Sequence, residues 1–147
     1  PKPPVQAIPV DVATDARVGA LKQQAANNPA CPFAKNLVAQ EIKGIVDTFA
    51  ANALRYVVIV GNDDTIPFFR SPDVSGLADE SGYVPPVQSN STSEASLRLD
   101  FVLSQDGYGA KTKISLPSSD FPVPGLAVGR SEAPGGGRQG RGCGEGR

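Results

Sequence analysis

The densest run of apolar residues lies in the middle of the chain, at Tyr56–Val60, and Gly61 closes it. Five consecutive apolar residues, mostly β-branched or aromatic, predict a strand that is buried on both faces, as in the middle of a parallel sheet. The polar segment 62–65 follows directly. Because open α/β sheets bind ligands beyond the carboxyl ends of their strands, this segment is the first place to look for function.

Two helices are predicted ahead of this strand. Thr14 or Asp15 can cap a first helix that ends near Ala26. A second helix, over residues 34–53, carries apolar side chains at three- and four-residue steps. These side chains are Val38, Ile42, Ile45, Val46 and Phe49. A helix followed by a buried strand is half of a parallel βα repeat, so we expect the second helix to pack on the sheet.

The second half of the chain has a weaker pattern. Residues 68–90 combine prolines, glycines and acids, which predicts a long loop of the kind that is functional or poorly ordered. Apolar residues alternate over 97–103, which favours a strand with one buried face; a short helix capped by Ser93 is the alternative. Segments 113–116 and 126–130 carry a weaker and a stronger strand signal, respectively.

The two ends of the chain lack the pattern of core elements. Residues 1–13 begin with a proline-rich stretch and predict an extended lead-in. Residues 133–147 are rich in glycine and arginine and predict a disordered tail, since they offer too little apolar surface to offset chain entropy. We therefore expect one α/β domain over residues 14–132, incomplete at its C-terminus because the pattern is lost directly after a strand.

Charge and hydropathy exclude some classes of partner. The 147 residues include 14 basic and 15 acidic side chains, and a formal charge of −1 gives no general attraction to nucleic acid or an anionic membrane. The Gly/Arg tail has the composition of RNA-associated segments but lacks interleaved aromatic residues. No apolar run approaches the roughly 20 residues that span a bilayer. We expect no nucleic-acid partner and no membrane span.

Three residue types are absent or scarce. The chain has no His, so it cannot by itself form a Cys-His dyad, a Ser-His-Asp triad or most catalytic zinc sites. It also has no Met, so we expect Pro1 to begin a processed or partial chain. Cys31 and Cys143 lie in unlike surroundings, and no bridge between them is predicted.

The polar turn after the central strand offers one candidate metal site. Asp63 and Asp64 can bind Ca²⁺ or Mg²⁺, since hard cations prefer carboxylate ligands, and such a site would suit a receiver-like Mg²⁺-binding regulator. The alternative is an Asx-type turn in which Asn62 and Asp63 hydrogen-bond to nearby backbone.

Two further acidic segments are candidates for a cleft. Asp79, Glu80 and Tyr83 can line one side of it, and residues 106–109 can form a second acidic loop. The alternative for both segments is a solvated turn. Neither contains the spacing of an EF-hand or of a phosphate-binding loop.

Four short motifs carry a family resemblance. They are Val-Gly-Asn-Asp-Asp-Thr-Ile-Pro at 60–67, Asp-Glu-Ser-Gly-Tyr at 79–83, the segment 103–108 and Leu-Ala-Val-Gly-Arg at 126–130. Their order resembles the gingipain-type cysteine peptidases, whose caspase-like domain has a strand ending in Val-Gly-Asp and a later strand ending in Gly-Arg. Asn62 stands where that family commonly has Asp.

The resemblance covers residues 34–132. It implies a caspase-like, Rossmann-like α/β fold, in which helices flank an open and mainly parallel sheet. It also implies the front part of a peptidase domain from a secreted or cell-surface parent that hydrolyses polypeptide substrates. The family's catalytic His and Cys lie downstream of the Gly-Arg strand, so no catalytic residue is assigned here, and the remaining C-terminal part of the domain is the expected partner.

In that domain Asn62, Asp79 and Tyr83 would shape the cleft. The alternative function is a non-enzymatic protein-binding α/β module that uses the 68–90 loop as its interaction surface.

Overall fold

The computed structural model describes residues 6–49, 54–76, 78–83, 87–115 and 120–131. Its fold is mixed α/β, with three helices and six strands in the described ranges. These are α1 (Ala16–Ala26), α2 (Pro32–Phe49), β1 (Tyr56–Val60), β2 (Phe69–Pro72), α3 (Thr92–Arg98), β3 (Phe101–Ser104), β4 (Ala110–Ser115), β5 (Asp120–Pro124) and β6 (Ala127–Ser131). Two 3-10 helices add Val12–Thr14 and Asp106–Gly109. None of the helices described is long and apolar enough to cross a membrane.

Both predicted helices are confirmed, with small shifts at their ends. Asp15 caps α1, because its carboxylate accepts hydrogen bonds from the backbone N–H groups of residues 17 and 18 at 2.9 Å. Helix α2 begins two residues earlier than predicted, at Pro32, whose fixed φ suits the first turn of a helix. The last predicted residues, 50–53, lie outside the described ranges, as does the predicted tail at 133–147.

The core lies between α1, α2 and strand β1, as the apolar stripe of α2 predicted. Its buried members come from both helices, from β1 and from the second 3-10 helix. They are Val18, Ala25, Ala34, Val38, Ala39, Ile42, Ile59 and Tyr108. Cys31 packs at the margin of this cluster as a half-buried side chain, and Cys143 lies outside the described residues.

Strand β1 pairs in parallel with β6, so the parallel pairing predicted from the βα pattern is confirmed. The prediction that β1 is buried on both faces is wrong. Side chains alternate along a strand, and only Val57 and Ile59 face the helix layer. The side chains of Tyr56, Val58 and Val60 are 68%, 71% and 57% exposed, because no described element covers the second face.

The prediction of one mainly parallel sheet with β1 in its middle is also wrong for the described residues. Their strands form three two-stranded sheets, and the pairs β2–β3 and β4–β5 are antiparallel. Strand β2 lies inside the stretch predicted as a loop. The four residues between β4 and β5 are too few for the crossover that a parallel pair requires, and β5 was not predicted because prolines 122 and 124 obscure it.

Residues 92–104 combine the two alternatives that the sequence left open. A short helix, α3, ends at Arg98, and strand β3 begins at Phe101, after a turn in which Asp100 has a φ of 59°. Ser91 caps the helix instead of Ser93, because the Ser91 hydroxyl oxygen accepts a hydrogen bond from the N–H of Glu94 at 3.2 Å. The hydroxyl of Ser93 instead donates a hydrogen bond to the Asp63 carboxylate.

Candidate functional site

The carboxyl ends of β1 and β6 form the edge at which the polar turn lies. The register pairs Val60 with Ser131, and the N–H of Gly61 donates to the carbonyl of Ser131 at 2.9 Å. Gly61 has a φ of 140°, a conformation that L side chains rarely adopt. The chain therefore turns sharply here, and the segment 62–65 lies directly beyond the end of the strand.

Asn62 holds this turn together. Its side-chain oxygen accepts hydrogen bonds from both the backbone N–H and the hydroxyl of Thr65, each at 3.0 Å. The donor lies three residues after Asn62, so this side chain caps the turn as the predicted Asx-type alternative expected, one residue further along than in an Asx turn itself. The side chain of Asn62 thus stabilises the backbone of the edge.

Asp63 lies in a buried ion pair that sequence reasoning missed. The Arg70 guanidinium donates to both carboxylate oxygens, at 2.9 Å and 2.5 Å. The hydroxyl of Ser93 donates to one of these oxygens at 2.6 Å, and the N–H of Phe68 donates to the other at 2.7 Å. Ser96 receives a further hydrogen bond from Arg70 at 3.2 Å. All of these groups connect the turn to β2 and α3.

The charge of Asp63 is set by these contacts. Burial raises the pKa of the carboxyl, but hydrogen bonds and charge from Arg70, with the Ser93 and Phe68 donors, outweigh burial and hold the pKa below its ordinary value. Asp63 is therefore an ionised carboxylate with four donors around it. A cation would have to displace the Arg70 guanidinium to reach either oxygen.

Asp64 points elsewhere. Its side chain is 72% exposed, and one oxygen lies 3.4 Å from the Nζ atom of Lys35 on α2. Adjacent in sequence, Asp63 and Asp64 thus have separate partners. Across the described ranges, no group of three or more Cys, Asp or Glu side chains is placed to hold a metal ion.

Arg130, near the end of β6, connects that strand to the turn after β1. Its Nη1 atom donates to the carbonyls of Gly61 and Ile66, both at 2.8 Å, and its guanidinium lies 4.1 Å from the centre of the Phe68 ring. Burial lowers the pKa of Arg130 from its ordinary value, but an arginine remains charged at any physiological pH. The guanidinium therefore clamps the Gly-Arg strand onto the turn after β1.

The other predicted residues lie apart from this edge. Asp79 accepts hydrogen bonds from the Ser81 hydroxyl at 3.1 Å and the Gly82 N–H at 3.0 Å, and the side chain of Tyr83 is 73% exposed. Asp79 and Tyr83 share the lining of a shallow cleft of about 360 Å³. Glu80 takes part through its backbone: its N–H donates to an Asp73 carboxylate oxygen at 3.1 Å, and its carbonyl accepts from the N–H of Tyr83 at 3.2 Å.

The segment 106–109 is not an exposed acidic loop. It forms a 3-10 helix in which only Asp106 is exposed, while Tyr108 is buried in the core and donates a hydrogen bond to the carbonyl of Pro67 at 2.6 Å. Burial raises the pKa of Tyr108. The glycines on either side are required by close packing, because a Cβ at Gly107 would lie 2.4 Å from the Phe69 ring.

No family model, no curated protein and no solved structure matches this chain. The resemblance to gingipain-type peptidases therefore rests on the sequence motifs alone.

Proposed function

We propose that this chain is the front part of a gingipain-like cysteine peptidase domain and is catalytically incomplete as it stands. One observation carries the proposal: β1 and β6 pair in parallel although more than sixty residues separate them in the sequence. This pairing brings the Val-Gly-Asn turn and the Gly-Arg strand end to the same edge. Two motifs that are distant in sequence thus belong to one structural unit, as a shared peptidase architecture requires.

The contacts at this edge support a scaffolding function for the motif residues. Arg130 bonds the backbone at Gly61 and Ile66, and Asn62 closes the turn with its own side chain. A rigid strand-end turn is a suitable wall for a substrate cleft, since sites held by packed elements keep their geometry. In the proposed domain this edge lies beside the catalytic groups without supplying them.

The missing chemistry defines what the rest of the parent must provide. Peptide hydrolysis by a cysteine peptidase needs a thiolate and a His that activates it, and the chain has no His. The open apolar face of β1, formed by Tyr56, Val58 and Val60, is suited to being covered by a further layer. We propose that downstream elements of a secreted or cell-surface parent cover this face and bring the catalytic pair.

The test compares this chain with the full reading frame of its parent gene. Each protein is incubated with fluorescein-labelled casein, with and without iodoacetamide. The proposal expects hydrolysis only by the longer protein, and it expects that alkylation abolishes this hydrolysis. Replacement of the downstream strand-end Cys by Ala should have the same effect and serves as the matched control.

A parent that carries neither a Gly-His-Gly segment nor a later strand-end Cys would overturn the peptidase proposal. A non-enzymatic binding module would then be favoured by the exposed side chains of Val74 and Tyr83, 56% and 73% accessible, beside the cleft at Asp79.

A further inference from the structure

A groove lies between α1 and α2 and extends to the turn after β1 and the start of α3. Its volume is about 470 Å³, within the usual range of small-molecule sites, roughly 300–1,000 Å³. The lining combines an apolar floor with a few polar side chains. The residues that matter for binding are Ala25, Val38, Lys22, Lys35, Asp64 and Thr92.

Lys35 is the most buried charge in this groove and is only weakly paired. The residue is only 9% exposed, and its ammonium group has one ion-pair partner among the described residues, an oxygen of Asp64 at 3.4 Å. This is the longest of the ion pairs within the described ranges. An ammonium group has three N–H donors, and burial of such a charge is costly unless acceptors surround it. Lys35 therefore has donors available for an acceptor in the groove.

Two other side chains that line the groove also have hydrogen-bond donors available. Lys22 lines the groove from α1, and no ion pair in the described part of the chain includes it. Thr92 lines the groove from α3, and its buried hydroxyl has no hydrogen-bond partner within the ranges described. Among the described residues that line the groove the only acid is Asp64, whose side chain is mostly in solvent. The groove thus has surplus donors and positive charge above an apolar floor.

We propose that this groove binds a small organic anion. A carboxylate or phosphate group of the ligand meets the ammonium groups of Lys35 and Lys22, and its apolar part lies against Ala25 and Val38. Charge-assisted hydrogen bonds to an ammonium are among the stronger contacts available to such a group. Since Asp64 is largely exposed, its carboxylate can turn outward when the ligand replaces it at Lys35. This site is independent of the proposed peptidase function.

Three probes separate the contribution of the anionic head group from that of the apolar contacts. Two are anions, 4-phenylbutyrate and 3-phenylpropyl phosphate, and the third is the neutral 4-phenylbutanamide. Each is titrated into the ¹⁵N-labelled chain, and amide chemical shifts are followed by NMR. The proposal expects saturable shifts at residues of α1 and α2 that line the groove with at least one anionic probe, and much weaker ones with the amide. The tighter of the two anions identifies the preferred head group. Equal binding of the amide, or shifts that do not map to the groove, would overturn the proposal.

Lys35→Met tests the residue that carries the inference, since Met keeps the apolar stem without the charge. We expect binding to weaken by at least about tenfold, the loss of one charge-assisted hydrogen bond. We also expect the variant to melt no lower than wild type, because a weakly paired buried charge contributes little stability. Lys43→Met, on the same helix but outside the groove and paired with Asp47, should bind like wild type. Unchanged affinity in Lys35→Met, or a large loss of its stability, would show that Lys35 is a structural residue.

Discussion

The buried ion pair of Asp63 and Arg70 gives the sharpest test of how the turn beyond the carboxyl ends of β1 and β6 is held in place. Three variants make a double-mutant cycle: Asp63→Asn, Arg70→Met and the two together. Asn preserves the shape of Asp and keeps an acceptor for the backbone N–H of Phe68, so Asp63→Asn removes the negative charge with little change of volume. Arg70→Met removes the guanidinium and leaves an apolar stem in its place. The double variant contains neither charge.

The structure fixes the expected magnitude. The Arg70 side chain is 0% exposed and that of Asp63 is 10% exposed, so neither charge can be rescued by water in place. Removal of one partner from such a pair costs about 3–5 kcal/mol, out of a total stability of about 5–15 kcal/mol for a domain. Each single variant should therefore lower the melting temperature by roughly 10–20 °C. The double variant should lose clearly less than the sum, because no unpaired charge remains.

The pH dependence gives an independent check with a defined sign. Hydrogen bonds and the Arg70 charge overcome burial and hold the pKa of Asp63 below its ordinary value. A carboxyl of this kind stabilises the fold above its unfolded pKa of about 4, and the contribution is lost as the pH falls through the folded value. In Arg70→Met the Ser93 and Phe68 donors alone oppose burial, so the pKa of Asp63 is higher than in wild type. Wild type should therefore lose more stability on acidification than Arg70→Met does. The difference in free energy of unfolding between the two proteins should shrink as the pH falls.

Urea unfolding followed by far-UV circular dichroism, at pH 7 and at pH 3.5, measures all four proteins. Asp47→Asn, which breaks an exposed ion pair with Lys43, is the control and should have little effect. Strictly additive losses, or single variants as stable as this control, would show that the pair is not formed as described. If the loss of stability of Arg70→Met relative to wild type were larger at pH 3.5 than at pH 7, the assigned charge of Asp63 would be contradicted.

Two further predictions use matched substitutions. Ile59→Ala should cost about 2–5 kcal/mol in urea unfolding, because the side chain is only 4% exposed. Val58→Ala, one residue earlier and 71% exposed, should change stability by less than about 0.5 kcal/mol. Equal losses would mean that the outer face of β1 is covered. Gly109→Ala should lower the melting temperature, because the added Cβ would lie 2.5 Å from the Leu126 carbonyl oxygen. Gly44→Ala, where α2 leaves open space for a Cβ, should raise stability by about 0.5–1 kcal/mol. A Gly109→Ala variant more stable than wild type would contradict this packing.

The elements that the sequence predicted correctly are those with local signals. Asp15 lies just ahead of an amphipathic segment, and the stripe of α2 follows a 3.6-residue period, so both helices were read from neighbouring residues alone. A parallel partner for β1 was predicted from a helix-then-strand order that is common to α/β folds, but the sequence did not identify β6 as that partner. These signals do not depend on the rest of the chain.

The errors arise where the outcome depends on distant residues. An apolar run such as Tyr56–Val60 shows that a strand is suited to burial, but a second covering layer must exist for burial to occur. The burial of Arg70 was likewise invisible, because it depends on Asp63, seven residues earlier, and on Ser93 and Ser96 in α3. No local pattern distinguishes such an arginine from an exposed one.

The same reasoning separates the two proposals. At the carboxyl ends of β1 and β6, the side chains of Asn62 and Asp63 and the Nη1 atom of Arg130 are occupied by contacts within the chain. The buried Nη2 atom of Arg130 has no hydrogen-bond partner among the described residues, but most of this edge shapes a cleft without binding a ligand directly. Function there must come from groups added beside it, as the peptidase proposal requires. In the helix groove the reverse holds, because Lys35 and Thr92 have donors that the described residues leave largely unused. A ligand can therefore bind the groove whether or not the peptidase proposal is correct, and the casein and NMR experiments can fail independently.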